Sequence, residues 1–318
     1  MTNRLADDDS SLRLLDAGIN TVRGSAAEAV AHLIAADPRR LPRFLPTLER
    51  MADDPSPAVR AVVAEALGPL WAQDAALAIR LCVRLCSTTD DRVLKTHYVE
   101  AFLWRVVQDS FADVEPIVER MIRSSIPTVQ RAGARVACWA SFFGEAAYEH
   151  ATHCFFGSAD MRLGMAQVLA GQITRFDCDQ ALTLLFDNSD DDVRTVASQC
   201  FRIMRDDELG KHTDLVASFV HSAAFSGHQQ DLIRALQETT AQLPEGTCLV
   251  AERYIESGSS GSMGPYTGDA EAMSQLVVRL YSQTVDSSIK TRCLDLIDRM
   301  SEMAGLYQLD KSMEAYER

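Results

Sequence analysis

The sequence predicts an all-α chain, an α-solenoid of stacked helical hairpins, and three observations carry that prediction. Hydrophobic residues make up 47% of the chain but aromatics only 7%, so Ala, Leu and Val fill most apolar positions. Small apolar side chains suit helix-on-helix packing, whereas strands favour β-branched and aromatic residues. The 318 residues include only 10 prolines and 16 glycines, too few for a turn-dense β protein. Finally, an apolar face at helical spacing recurs about every 35 residues, the period of a helical repeat.

The clearest unit is DDPSPAVRAVVAEALGPL at residues 53–70. Its apolar residues Val59, Val62, Val63, Ala66, Leu67 and Leu70 line one face of a helix. The Asp-Pro-Ser-Pro segment before it reads as a turn that caps the helix. The same face begins again at Val22 (Ser25, Ala26, Ala29, Val30, Leu33) and at Leu94 (His97, Tyr98, Ala101, Phe102). Further copies begin at Val129, Met161 and Val193, so successive starts lie 37, 35, 35, 32 and 32 residues apart. Arg23, Arg60, Lys95, Arg162 and Arg194 follow the first residue of five copies, with Gln130 in the sixth. Between these helices lie amphipathic segments near 40–52, 74–86, 112–123, 145–156 and 178–187, which gives two helices per repeat.

The period degrades near residue 205. Residues 1–205 are expected to form about six regular hairpins, and residues 206–318 a less regular helical region. Helices remain legible there near 211–224, 229–242, 245–257, 270–284 and 287–304, with a Gly/Ser stretch at 257–268.

The pattern DxxxxVRxxxAxxAL in the second helix of a repeating hairpin resembles the HEAT repeat, including the short HEAT-like repeats of bacterial proteins. The resemblance implies a HEAT-like superhelix of the armadillo-like kind. It also implies a ladder between neighbouring repeats, made by an Asp in the inter-helix turn and an Arg early in the second helix. Asp54 and Arg60 match those positions, while Asn188 precedes Arg194 and Ser124 precedes Gln130. A further resemblance concerns GINTVRGSAAEAVAHL near the start and CLDLIDRMSEMAGLYQLDKSMEAYER at the end. They are similar to the HEAT-rich C-terminal sensor regions of large bacterial signal-transducing NTPases, whose P-loop module this sequence lacks.

The net charge of −14 argues against a surface that tracks phosphates, because such surfaces need clustered Lys and Arg. It favours a protein or peptide partner with basic segments. None of the eight cysteines sits in a CxxC pair and most occupy apolar helix positions, which predicts free thiols and a reduced, cytoplasmic setting. The opening MTNRLADDDSS has no apolar stretch, and no run approaches the ~18 residues that span a bilayer, so neither a leader nor a membrane segment is expected.

No catalytic set, metal site or cofactor is expected. The stretch SGSSGSMGPYTG at 257–268 has no Lys, so it reads as an inter-helix loop, with Tyr266 as its contact residue. His150, His153 and Cys154 lack a fourth ligand and read as surface histidines beside a core thiol. Cys82 and Cys86 read as core, and the acidic runs 190–192 and 206–208 as helix-start charges. His97 is the one polar residue left unexplained on an expected core face. Trp71, Trp104 and Trp139, near the ends of successive second helices, either seal the hairpins or form an exposed aromatic row.

These readings predict a non-enzymatic interaction scaffold or sensor that binds through the concave face of the solenoid. Its expected contact residues are Arg60, Lys95, Arg162, Arg194 and Tyr266. The alternative is a HEAT-like nucleic-acid-binding protein or a DNA glycosylase-like enzyme. A HEAT-like lyase or chaperone of a cofactor-bearing protein is a third, minor reading.

Overall fold

The computed structural model describes residues 10–205, 207–239, 243–259 and 268–304, and no strand occurs among them. By contact density the chain divides into two compact units, residues 1–168 and 169–318.

The first unit opens with α1 (Ser10–Ile19), which the sequence reading missed, and α2 (Val22–Ala36). Thr21 starts α2 in the expected way: its backbone is extended and its hydroxyl accepts the Gly24 N–H at 3.0 Å. Then come α3 (Leu41–Ala52), α4 (Pro57–Val63), α5 (Leu67–Trp71), α6 (Ala75–Cys86), α7 (His97–Val106), α8 (Glu115–Arg123), α9 (Pro127–Ser141), α10 (Tyr148–Phe155) and α11 (Ala159–Gln172). Each hairpin packs on the next: α2 against α4, α3 against α6, α7 and α10 against α9. Glycines permit the closest approaches. A Cβ on Gly133 would lie 2.7 Å from the Met121 Cβ in the partner helix of its own hairpin. One on Gly164 would lie 2.4 Å from the Arg131 carbonyl in the preceding repeat.

Two details depart from the simple period. The face from Val59 to Leu70 reads as one helix, but a 3-10 turn at Ala64–Ala66 separates α4 from α5. Pro69 has no N–H to give the Glu65 carbonyl, and the chain tightens locally instead. In the third copy, Asp91–Lys95 is 3-10 and Thr96 is extended, so α7 starts only at His97. Its buried face is Val99, Phe102, Leu103 and Val106. The expected face of His97, Tyr98, Ala101 and Phe102 is thereby corrected: His97 and Ala101 are exposed.

The second unit contains α12 (Asp179–Phe186), α13 (Asp191–Ser198), α14 (Cys200–Ile203), α15 (Glu208–Lys211), α16 (Thr213–His221), α17 (Phe225–His228), α18 (Gln230–Glu238), α19 (Pro244–Ser259), α20 (Gly268–Gln283) and α21 (Ser287–Ala304). Phe186, Phe201, Phe219 and Phe225 form its aromatic centre, with ring centroids 4.8 to 6.1 Å apart. All four are fully buried, which stabilises by about 1.5–3 kcal/mol per ring. No helix among the described residues is long and apolar enough to cross a membrane.

Candidate functional site

The turn that joins the two helices of a repeat has one recurring construction. A side-chain oxygen accepts the backbone N–H two residues later at Asp54, Thr88, Ser124, Asn188, Ser222 and Thr284, with N···O distances of 2.9 to 3.3 Å. Asp, Asn, Ser and Thr can all make this bond. The chemistry therefore repeats although the residue does not.

The early basic residues belong to these turns. Arg60 donates from Nε to the Asp54 carbonyl at 2.6 Å and from Nη1 to the Ser87 carbonyl of the next repeat at 3.0 Å. Arg162 donates to the Gly157 carbonyl at 2.6 Å, and Arg194 to the Asn188 carbonyl at 2.6 Å. Lys95 is buried in its 3-10 turn. Arg60 and Arg162 thus serve separate turns in the first unit, and Arg194 serves a turn in the second. Tyr266 lies outside the described residues, as do residues 260–267 of the Gly/Ser stretch. The ladder implied by the HEAT resemblance is present where Arg23 of the first copy meets Asp54 of the second at 3.1 Å.

Other arginines join neighbouring repeats through carboxylates. Arg84 meets Asp53 at 2.7 Å, and that guanidinium holds the Asp53 carboxyl below the usual carboxylate range. Arg120 reaches Asp91 at 2.6 Å, and the nearly buried Arg131 reaches Asp160 at 2.5 Å. Arg135 bridges Glu100 of the preceding second helix at 2.6 Å and Gln167 of the following one at 3.0 Å.

Glu100, Arg135 and Gln167 belong to a polar row that the sequence carries and the period search overlooked. Six residues after the starts of the first five copies stand Glu28, Glu65, Glu100, Arg135 and Gln167. At the head of this row, ligand atoms of Glu28, His32 and Glu65 all lie within 4.8 Å of one another. His32 Nε2 is 2.9 Å from Glu65 Oε1. Tyr98 of the third copy lies beside Glu65, and burial together with the Glu65 and Glu28 charges raises its ionisation above the usual range. A fixed 37-residue offset between two acidic residues was the signal available in the sequence.

The ends of the second helices form an aromatic edge. Trp71 packs edge-on against Phe102 with centroids 5.7 Å apart, and Trp104 stacks on Trp139 at 5.1 Å. The Trp139 indole N–H donates to the Trp104 carbonyl at 2.9 Å, so these rings close the hairpin ends. The edge continues outward. Phe143 packs on Trp139 at 4.9 Å and is 40% exposed, and Tyr148 is 54% exposed. Asp109, Asp113, Glu145 and Glu149 are exposed in the same two adjoining turns. Residues 104–113 and 139–149 together carry these four carboxylates against one arginine, Arg105.

The remaining clusters are structural. His150 pairs with Glu115 at 2.9 Å, His153 is exposed, and burial pushes the Cys154 thiol up to about 12. Those three side chains do not converge on one point. Cys82 is held neutral by its hydrogen bond to Cys86 and by burial. All eight cysteines are free and buried. Asp190 caps α13 through the Asp192 N–H at 3.0 Å.

The HEAT repeat family model matches residues 44–73, the segment that spans α3, α4 and α5. No curated protein matches the chain. HEAT repeats generally serve as protein-interaction scaffolds. The chain thus carries a HEAT repeat at residues 44–73, set in a run of helical hairpins along its described residues.

Proposed function

We propose that the protein is a non-catalytic binding module that grips an Arg- or Lys-rich segment of a partner protein. The observation that supports this reading is the edge where the second helices end. It offers aromatic surface at Trp104, Phe143 and Tyr148 beside four exposed carboxylates. Aromatic faces attract guanidinium and ammonium groups by about 0.5–2 kcal/mol each, and a carboxylate rim steers a basic segment toward them. The early arginines Arg60, Arg162 and Arg194 have a different part in this reading. Their guanidinium groups hold turn carbonyls, so they space the repeats that carry the edge. The same use of cations leaves little positive surface for a duplex, which weighs against the nucleic-acid alternative.

A titration of the full chain with a short fluorescent Arg-rich peptide tests the proposal. A Glu-rich peptide of equal length and a DNA duplex serve as comparisons. Saturable binding of the basic peptide that weakens with salt and quenches tryptophan emission is the expected result. Tighter binding of the duplex would overturn the proposal in favour of the nucleic-acid reading, and equal binding of both peptides would remove its electrostatic basis.

A further inference from the structure

The head of the polar row has an imbalance of charge that the rest of the row lacks. Five other inter-repeat carboxylates meet a guanidinium: Asp54 meets Arg23, Asp53 meets Arg84, Asp91 meets Arg120, Glu100 meets Arg135 and Asp160 meets Arg131, while Glu115 stands alone opposite His150. Glu28 and Glu65 are brought together from successive second helices; His32 pairs with Glu65, and Glu28 has no ion pair among the described residues. Two carboxylates at this range repel, and a neutral imidazole would leave two negative charges in place; a divalent cation would balance both.

The geometry is also that of a ligand set. Glu28 and His32 are four residues apart on α2, which puts them on one helix face. Glu65 comes from the next repeat, at the 3-10 turn that Pro69 imposes, and is only 18% exposed. Tyr98, from the third repeat, lies beside Glu65 and Glu28, close enough for its hydroxyl to help hold Glu65 in place. The cluster thus draws on three consecutive repeats, and each donor sits on a packed element.

We propose that Glu28, His32 and Glu65 bind a first-row divalent transition-metal ion, with Tyr98 as a positioning residue. One imidazole and two carboxylates suit Zn(II), Mn(II) or Fe(II), whereas Ca(II) and Mg(II) prefer oxygen donors alone. Three protein donors leave further coordination positions to water. The ion would cross-link the first two repeats and stabilise the folded chain in proportion to its occupancy.

Zn(II) is the probe. The chelator-treated full chain is titrated calorimetrically with ZnCl2, and the melting temperature is followed with and without the metal. One equivalent is expected to bind, with a rise in melting temperature. Glu28→Gln, His32→Gln and Glu65→Gln are each expected to weaken binding about tenfold or more, and Tyr98→Phe to weaken it about tenfold. His32 is mostly exposed, so His32→Gln keeps the metal-free melting temperature and separates lost binding from lost folding. Absence of saturable one-to-one binding would overturn the proposal. Binding that survives all three Gln substitutions would also overturn it, because the ion would then sit elsewhere, as on a cysteine.

Discussion

Replacing Arg60 with Met keeps the apolar stem and removes the guanidinium, which isolates the hydrogen bonds that tie the second repeat to its own turn and to the next. The two shortest bonds go to the Asp54 carbonyl at 2.6 Å and the Ser87 carbonyl at 3.0 Å. Two longer ones reach the Arg84 and Leu85 carbonyls at 3.4 Å, at the C-terminal end of α6, where a cation is favoured. Bonds from a charged donor contribute about 1.5–3 kcal/mol each, and partial exposure lets water replace some of that. The expected loss is therefore about 2–4 kcal/mol. In a unit of this size that corresponds to a fall of about 5–15 °C in melting temperature. Differential scanning calorimetry of the full chain reads it, as the transition of residues 1–168 if the two units unfold separately. Arg39→Ala is the control, since Arg39 is 91% exposed and among the described residues pairs with Asp37 of its own turn alone. A shift for Arg60→Met no larger than that of the control would refute the assignment of these arginines to repeat spacing.

Two further predictions concern packing and acid stability. Gly164→Ala is expected to destabilise by about 1–3 kcal/mol, because the new methyl would sit 2.4 Å from the Arg131 carbonyl, a backbone atom that cannot move aside. Gly68→Ala, where nothing lies within 4 Å, is expected to stabilise by about 0.5–1 kcal/mol through helix propensity; chemical denaturation separates the two. In the second unit, the Arg292 guanidinium holds the Glu252 carboxyl below its ordinary value through bonds of 2.6 and 2.8 Å. A carboxyl depressed on folding stabilises above its unfolded value of about 4.3 and loses that contribution as pH falls through the folded value. The melting temperature of wild type should therefore drop more steeply below about pH 4.3 than that of Arg292→Met. Parallel curves would show that the pair contributes nothing.

The helices were legible because burial imposes a period on the sequence. Apolar spacing located α3, α6, α12, α16, α18, α19, α20 and α21 to within a few residues. Exceptions arose where local backbone chemistry interrupts that period. Thr96 and Pro69 break helices whose apolar spacing reads as continuous, and α1, which carries Leu12, Leu14, Leu15 and Ile19, stands ahead of the first copy, where no earlier copy marks its period. The site was less legible for a different reason. A recurring arginine in a sequence shows that a cation is needed but not what accepts its bonds. At Arg60, Arg162 and Arg194 the acceptors include backbone carbonyls, which no residue pattern displays. The juxtaposition of Glu28 and Glu65 follows from stacking across repeats, so it emerges only when copies are aligned by position and compared for polar residues as well as apolar ones.

Residues that space the repeats are distinct from those proposed to touch a partner, and one paired measurement tests that separation. Affinity for the Arg-rich peptide and melting temperature are recorded for Phe143→Ala combined with Glu145→Lys, and for Arg60→Met. The edge variant should lose about tenfold or more in affinity at an unchanged melting temperature, since Phe143 is 40% exposed and Glu145 lies in solvent. The Arg60 variant should melt lower and bind as wild type at temperatures where it remains folded. The reverse pattern, with affinity lost in Arg60→Met and kept in the edge variant, would contradict the account.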